Sequence, residues 1–282
     1  MDWTYKAVLT TVTVAAVLMA ARWMGRRVAG LLAGLPVITV PALMWVAQEQ
    51  GTDFAVHSAV GSAAACAMAP LFAASFMLLA QHFGAAISLA GAVLVAWAAA
   101  HLLHGLAGRP GVALVAAAVS CALVQWLLWR LVRPGWRPSQ DSGVGNTGSP
   151  ARALRAVAGE PWLTAGLAGI VSASVSLLAT TVGPYWSGVL STLPLISACA
   201  LVLLQRTCGP SALPGFVSGY VIGVLAKALF VCSFAWLAPH WGVAPALALA
   251  VLAGSAGAVT LTRWRRSDTT EATRVAAPAV RP

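Results

Sequence analysis

Charge is scarce in this sequence. Only 9% of the residues are Asp, Glu, Lys or Arg, against about 25% in soluble domains. So few cannot cover a water-facing surface, which excludes a soluble globular protein. Acids are scarcer than bases, seven against 17, and none of the seven lies mid-way along an apolar run. That excludes a pair of intramembrane aspartates. The five cysteines, Cys66, Cys121, Cys199, Cys208 and Cys232, form no CxxC and no metal-ligand spacing, so they read as small apolar packing residues. No HExxH, GxSxG or P-loop occurs. No catalytic residue, metal or cofactor is expected, and the chain is read as not an enzyme. The ten-residue alternating segments of a membrane β-barrel are missing as well.

What is there is apolar. Hydrophobic residues make up 60% of the chain, in runs long enough to cross about 30 Å of hydrocarbon as helices. The fold class is an all-α polytopic membrane protein whose first partner is the lipid bilayer. Nine transmembrane helices are placed at 5–22, 28–47, 55–80, 84–105, 111–132, 162–182, 186–205, 214–237 and 242–262. The first has Lys6 ahead of it and Met19-Ala20-Ala21 near its end, as a signal peptide would. It is read as a retained helix because a counterpart stands at the matching place later in the chain.

The net charge of +10 does not point to nucleic acid, because the bases fall in short loops. Arg22, Arg26 and Arg27 follow span one. Arg130, Arg133, Arg137, Arg152 and Arg155 follow span five. Arg206 follows span seven, and Arg263, Arg265, Arg266, Arg274 and Arg281 follow span nine. An outside N-terminus and a cytoplasmic C-terminus put all of these inside, leaving Lys6 and Arg109 outside and Lys227 within a span. This is the positive-inside pattern, and an odd number of spans is needed to produce it. Trp3, Trp23, Trp129, Trp186 and Trp241 fall near span ends, as an aromatic belt does.

Residues 134–160 are rich in Gly, Ser and Pro and read as a flexible cytoplasmic linker. The tail, 263–282, is polar and is expected to be disordered.

A repeat runs through the apolar part. Residues 29–43 return 158 positions later as 187–201. The same shift pairs Gly30 with Gly188, Pro36 with Pro194, Gly51 with Gly209 and Gly61 with Gly219. It also pairs Phe72 with Phe230, Phe76 with Phe234, His82 with His240 and Gly84 with Gly242. Identity at rare residue types over a fixed shift marks internal duplication. Residues 1–107 then form a first four-helix repeat, 108–133 a connecting helix, and 161–262 a second repeat. Five spans separate matching points, so the second copy enters the membrane inverted. Inverted-topology repeats are frequent in secondary transporters, whose sites lie near the midplane on proline- or glycine-broken helices.

Spans two and seven are broken in that way. Pro36 and Pro194 lack an N–H and free a carbonyl one turn back, which in hydrocarbon needs a donor or a wet cavity. Thr39 and Ser197 offer hydroxyls within a turn. Gly30, Ala33 and Gly34, and Gly188, Ser191 and Thr192, are small enough to let other backbones close in. A plain packing kink is the other reading of each proline.

Lys227 is the one charged side chain deep within a span. Three readings stay open: it binds an anionic substrate, it is a neutral amine, or it snorkels or caps freed carbonyls. Its repeat counterpart, Ala69, is uncharged. Glu49 and Asp53 form an acidic outer mouth or a solvated loop. His101 and His104, three apart, could share a metal but lack a third ligand. His57, His82 and His240 read as interface residues.

The run Ala29-Gly30-Leu31 with Pro36, Ala42-Leu43 and Gly51 resembles the GlpM-like family of small bacterial inner-membrane proteins, over residues 29–84. Those are single units of about four helices. The resemblance implies a fused, duplicated relative, located in the bacterial inner (plasma) membrane and associated with exopolysaccharide production. It carries over no functional residue. The function expected is a secondary transporter or permease for a small, anionic solute, with Lys227, Pro36, Thr39, Pro194 and Ser197 at the site and the two copies rocking against each other. The alternative is a non-transporting assembly or scaffold protein of envelope polysaccharide export.

Overall fold

The computed structural model describes residues 4–5, 7–12, 15, 36, 39–104, 109–131, 166, 170, 174, 178, 181–192 and 194–276. All regular structure among them is helical. The helices are α1 (Thr39–Gln50), α2 (Thr52–Leu79), α3 (Ala85–His104), α4 (Pro110–Leu131), α5 (181–191), α6 (Leu195–Cys208), a 3-10 turn (Pro210–Ala212), α7 (Leu213–Trp241) and α8 (Val243–Ala276). Five stretches are long and apolar enough to cross a membrane: Thr52–Leu79, Ala85–His104, Pro110–Arg130, Pro210–Trp241 and Val243–Thr262. They coincide with the expected spans three, four, five, eight and nine. Spans one, two, six and seven fall partly outside the described residues, and the linker 134–160 falls wholly outside them.

Small side chains decide the packing. α2 is buried on every side, with Ala55, Ala59, Ala63, Ala64, Ala67 and Ala73 all inside. A helix that is apolar all round belongs at the centre of a bundle. α2 packs against α1, α3, α4 and α7, while α7 packs against α8, α2 and α4. Phe72, Phe76, Phe230 and Phe234 are fully buried in this core.

Contacts between distant segments fix the helix directions. The Gln205 amide Nε2 donates to the carbonyls of Ala80 (3.3 Å) and Phe83 (3.0 Å), just past the end of α2. Earlier in the same run, Gly188 abuts Ser58 and Ser62 near the start of α2. The α5–α6 run therefore follows α2 in the same direction. After Gly209 the chain turns back, and α7 runs antiparallel to α2. Accordingly the Cys232 thiol, late in α7, meets the Pro110 carbonyl at the start of α4 (3.5 Å).

Gly51 and Gly209 make the turns before α2 and before the 3-10 segment. Their φ, ψ values are 89°, 169° and 77°, 173°, a region essentially closed to side chains. A Cβ at either would meet nothing within 4 Å, so any penalty comes from the backbone alone. Gly51→Ala and Gly209→Ala should each destabilise the protein by about 1–3 kcal/mol, and by similar amounts. Thermal midpoints in detergent would show it, and an unchanged midpoint would contradict the assigned turns.

Element boundaries recur at a constant offset. α1 ends at Gln50 and α6 at Cys208, and α3 begins at Ala85 and α8 at Val243; both pairs are 158 residues apart. The amides of Val40 and Ala198 donate to the carbonyls of Pro36 (3.0 Å) and Pro194 (2.7 Å), again at that offset.

α8 continues past Thr262 to Ala276, through residues read from the sequence as polar tail. Helix formation is costly only at its nucleus. The apolar turns supply that nucleus, and the Ala, Arg and Glu that follow are good helix formers.

Candidate functional site

The break in the second copy lies between the end of α5 at residue 191 and Leu195. Pro194 precedes α6 and offers no N–H to the turn before it. The last turn of α5 tightens instead, with the Thr192 amide donating to the Val189 carbonyl at 3.0 Å. The Pro194 carbonyl accepts the Ala198 amide and the Ser197 hydroxyl, the latter at 3.0 Å. Thr39 is fully buried in α1, and its hydroxyl points across the bundle to the Ser191 carbonyl at 3.5 Å. Thr39 thus reaches the end of α5, while Ser197 caps the start of its own helix at Pro194.

A seam of hydroxyls surrounds that point. At Gly188 an added Cβ would lie 2.7 Å from the Ser62 amide nitrogen and closer still to the Ser58 carbonyl. At Gly61 it would strike the Tyr185 backbone. Two glycines therefore bring α2 and α5 into backbone contact. At that distance Ser62 Oγ donates to the Gly188 carbonyl (2.9 Å), as does Ser191 Oγ (2.8 Å), and the two hydroxyl oxygens are 3.1 Å apart. Ser187 and Thr192 are buried beside them, 0% and 5% exposed, and their hydroxyls have no hydrogen-bond partner. Gly188 and Ser191 lie on one helical face, the face turned to α2.

Lys227 lies half-buried at the middle of α7. The Cys66 thiol of α2 lies within electrostatic reach of it. Tyr220 stands two turns earlier on the same face of α7, about 10 Å along the axis. Tyr220 and Lys227 therefore share one side of α7. The Tyr220 ring stacks on Phe216, with centroids 6.2 Å apart.

The other candidates lie elsewhere. Glu49 and Asp53 are exposed at the α1–α2 turn, with Glu49 about 15 Å beyond Thr39 along α1. His57 Nδ1 lies 2.8 Å from the carbonyl of Asp53, on its own helix. His101 and His104 pack among aromatic rings: His101 is 4.4 Å from Trp97 and 4.9 Å from Trp186, and His104 is 4.6 Å from Tyr185. The Tyr185 hydroxyl donates to the Ala100 carbonyl at 3.0 Å, locking α5 onto α3. Among the described residues no three His, Cys, Asp or Glu come together as a metal site.

Sequence reasoning passed over Ser62, Ser187 and Tyr220 and gave Ser191 and Thr192 only a packing role. A signal was present. At the 158-residue offset, Ser187, Ser191 and Thr192 stand where the earlier segment has Ala29, Ala33 and Gly34, so hydroxyls appear only at the later positions.

No protein-family model matches the chain, and neither the curated proteins nor the solved structures compared with it include a match.

Proposed function

We propose that the chain is a secondary transporter of a small anionic solute in the bacterial inner membrane, N-terminus outside and C-terminus cytoplasmic. It is built as two inverted four-helix repeats joined by α4. Support for the repeats comes from the element boundaries and proline hydrogen bonds that recur at one offset, and from the antiparallel course of α2 and α7. The observation that carries the transport reading is the meeting of Thr39 with Ser191 inside a buried polar seam. Non-helical backbone at membrane depth persists where it is buried in protein or lines a cavity, and broken helices of this type hold substrates and ions. The solute is anionic because the positive N-terminal end of α6 lies at the break and Lys227 is the one charged side chain deep within a span.

Cysteine accessibility tests this. Single cysteines at Ser191, Ser197 and the residues flanking Pro36, in a cysteine-free background, should react with a membrane-impermeant thiol reagent, and added solute should slow the reaction. If all of them are inert from both sides, no hydrated path reaches the breaks, and the scaffold reading replaces transport.

A further inference from the structure

We infer that the ring cluster where α3 meets α5 is a binding site for a phospholipid headgroup that carries an ammonium group. Five side chains from two helices build it. Trp97, His101 and His104 come from the last two turns of α3, and Tyr185 and Trp186 from the first half of α5. Trp186 is the hub. Its ring lies 4.9 Å from His101, 5.4 Å from Tyr185, 5.9 Å from His104 and 6.3 Å from Trp97. His104 stacks on it at 16°, and the two indoles are tilted by 33°. The Tyr185 hydroxyl, bonded to the Ala100 carbonyl, ties one helix to the other. A tryptophan that only anchors a helix in the headgroup layer needs no such frame.

Depth names the class of occupant. α3 is 20 residues long, about 30 Å at 1.5 Å per residue, which matches the hydrocarbon layer. Its last turn, with His101 and His104, therefore reaches the headgroups. The cluster is open: Trp97 is 61% exposed, and both histidines are exposed. Leu94, one turn before Trp97 on the same face, is 71% exposed, so that face looks onto lipid and not into the bundle. Charge names the headgroup. The faces of aromatic rings attract a cation. The last four carbonyls of α3 have no helical donor, and the helix dipole makes that end negative as well. Both features favour an ammonium group over a headgroup that is anionic throughout. Imidazole keeps at least one N–H in either protonation state, so His101 and His104 supply donors for the phosphodiester beside the ammonium. At the 158-residue offset, Ser255, Val259 and Thr262 stand where α3 has Trp97, His101 and His104. One such site per chain is therefore expected, not two.

The site does not rest on the transport reading. The test is the thermal midpoint of the purified, delipidated full chain in detergent, titrated with three lipids of the same acyl chains. These are phosphatidylethanolamine, its N-acetylated form, and phosphatidylglycerol. Phosphatidylethanolamine should raise the midpoint by a few degrees and saturate, and the two lipids without an ammonium group should give a clearly smaller rise. Trp97→Leu should abolish that difference while keeping the wild-type midpoint without lipid, because its ring is mostly exposed. Trp241→Leu removes another exposed tryptophan, at the end of α7 and outside the cluster, and should retain the difference. Should Trp97→Leu not fold, the comparison of the amine with its N-acetylated form on the wild type decides alone. Equal rises with all three lipids, a difference that survives Trp97→Leu, or one lost equally in Trp241→Leu overturns the site and leaves the rings as an interfacial anchor.

Discussion

Gly188→Val should leave little folded protein in the membrane. The glycine faces the carbonyl of Ser58 and the amide of Ser62, both backbone atoms of the buried helix α2. No rotamer change relieves a clash with backbone, so α5 must separate from α2. Separation breaks the bonds from Ser62 and Ser191 to the Gly188 carbonyl and opens an alanine-lined seam. Overpacking a core costs about 1–3 kcal/mol or more, and the lost bonds add about 1 kcal/mol each. A marginally stable domain does not survive the sum. Gly91 provides the contrast, because a Cβ there meets only the flexible Leu79 Cδ1, and Gly91→Ala should cost less than about 1 kcal/mol. Detergent-solubilised yield and thermal midpoint would separate the two variants. A Gly188→Val protein as stable as wild type would rule out the close approach of α2 and α5.

Lys227→Gln should raise the half-saturating concentration for anion uptake by about 100-fold. Removing one member of a desolvated charge pair costs about 2–5 kcal/mol, and about 2.7 kcal/mol corresponds to two decades in affinity. Lys227→Arg keeps the charge and should recover part of the loss. Proteoliposomes loaded with the purified protein and challenged with labelled monocarboxylate, phosphate and sulfate provide the measurement. The thermal midpoint of Lys227→Gln should not fall, because an intramembrane charge is itself costly. Uptake indifferent to this substitution would make Lys227 a structural residue. A fall in midpoint together with uptake would assign the effect to folding.

The five long helices were legible because each carries at least 20 residues almost free of charge, a signal that no local preference reverses. Their ends were less so. α2 begins at Thr52 and not at 55, since polar Thr52 and Asp53 are at home in a first helical turn, where a carboxylate meets the positive dipole end. α7 runs on to Trp241 through Pro239 because Gly242, with φ at 79°, is the residue that stops it. Of the site, the prolines and their neighbouring hydroxyls were readable, as was Lys227. The bond between Thr39 and Ser191 was not, because it joins residues 152 apart through a crossing that only the packed bundle defines. Serines and threonines occur throughout apolar helices, so nothing local sets Ser187 and Thr192 apart. Their distinction is that neither finds a carbonyl in the folded chain. His101 and His104 have a spacing that suits a shared ligand, yet the segment that comes to lie against them carries Tyr185 and Trp186.

α4 touches both of the central helices, α2 and α7. Cys121 on α4 approaches the Val221 carbonyl of α7 at 3.7 Å, while Ala113, Ala117 and Val124 of α4 are buried in the same core. A helix gripped from both sides is a keystone. With it in place, α2 and α7 cannot swing past one another without unpacking four phenylalanines, and close-packed cores switch between discrete arrangements rather than deform smoothly. Any movement of one central helix against the other is therefore a step between two packed arrangements, never a smooth slide.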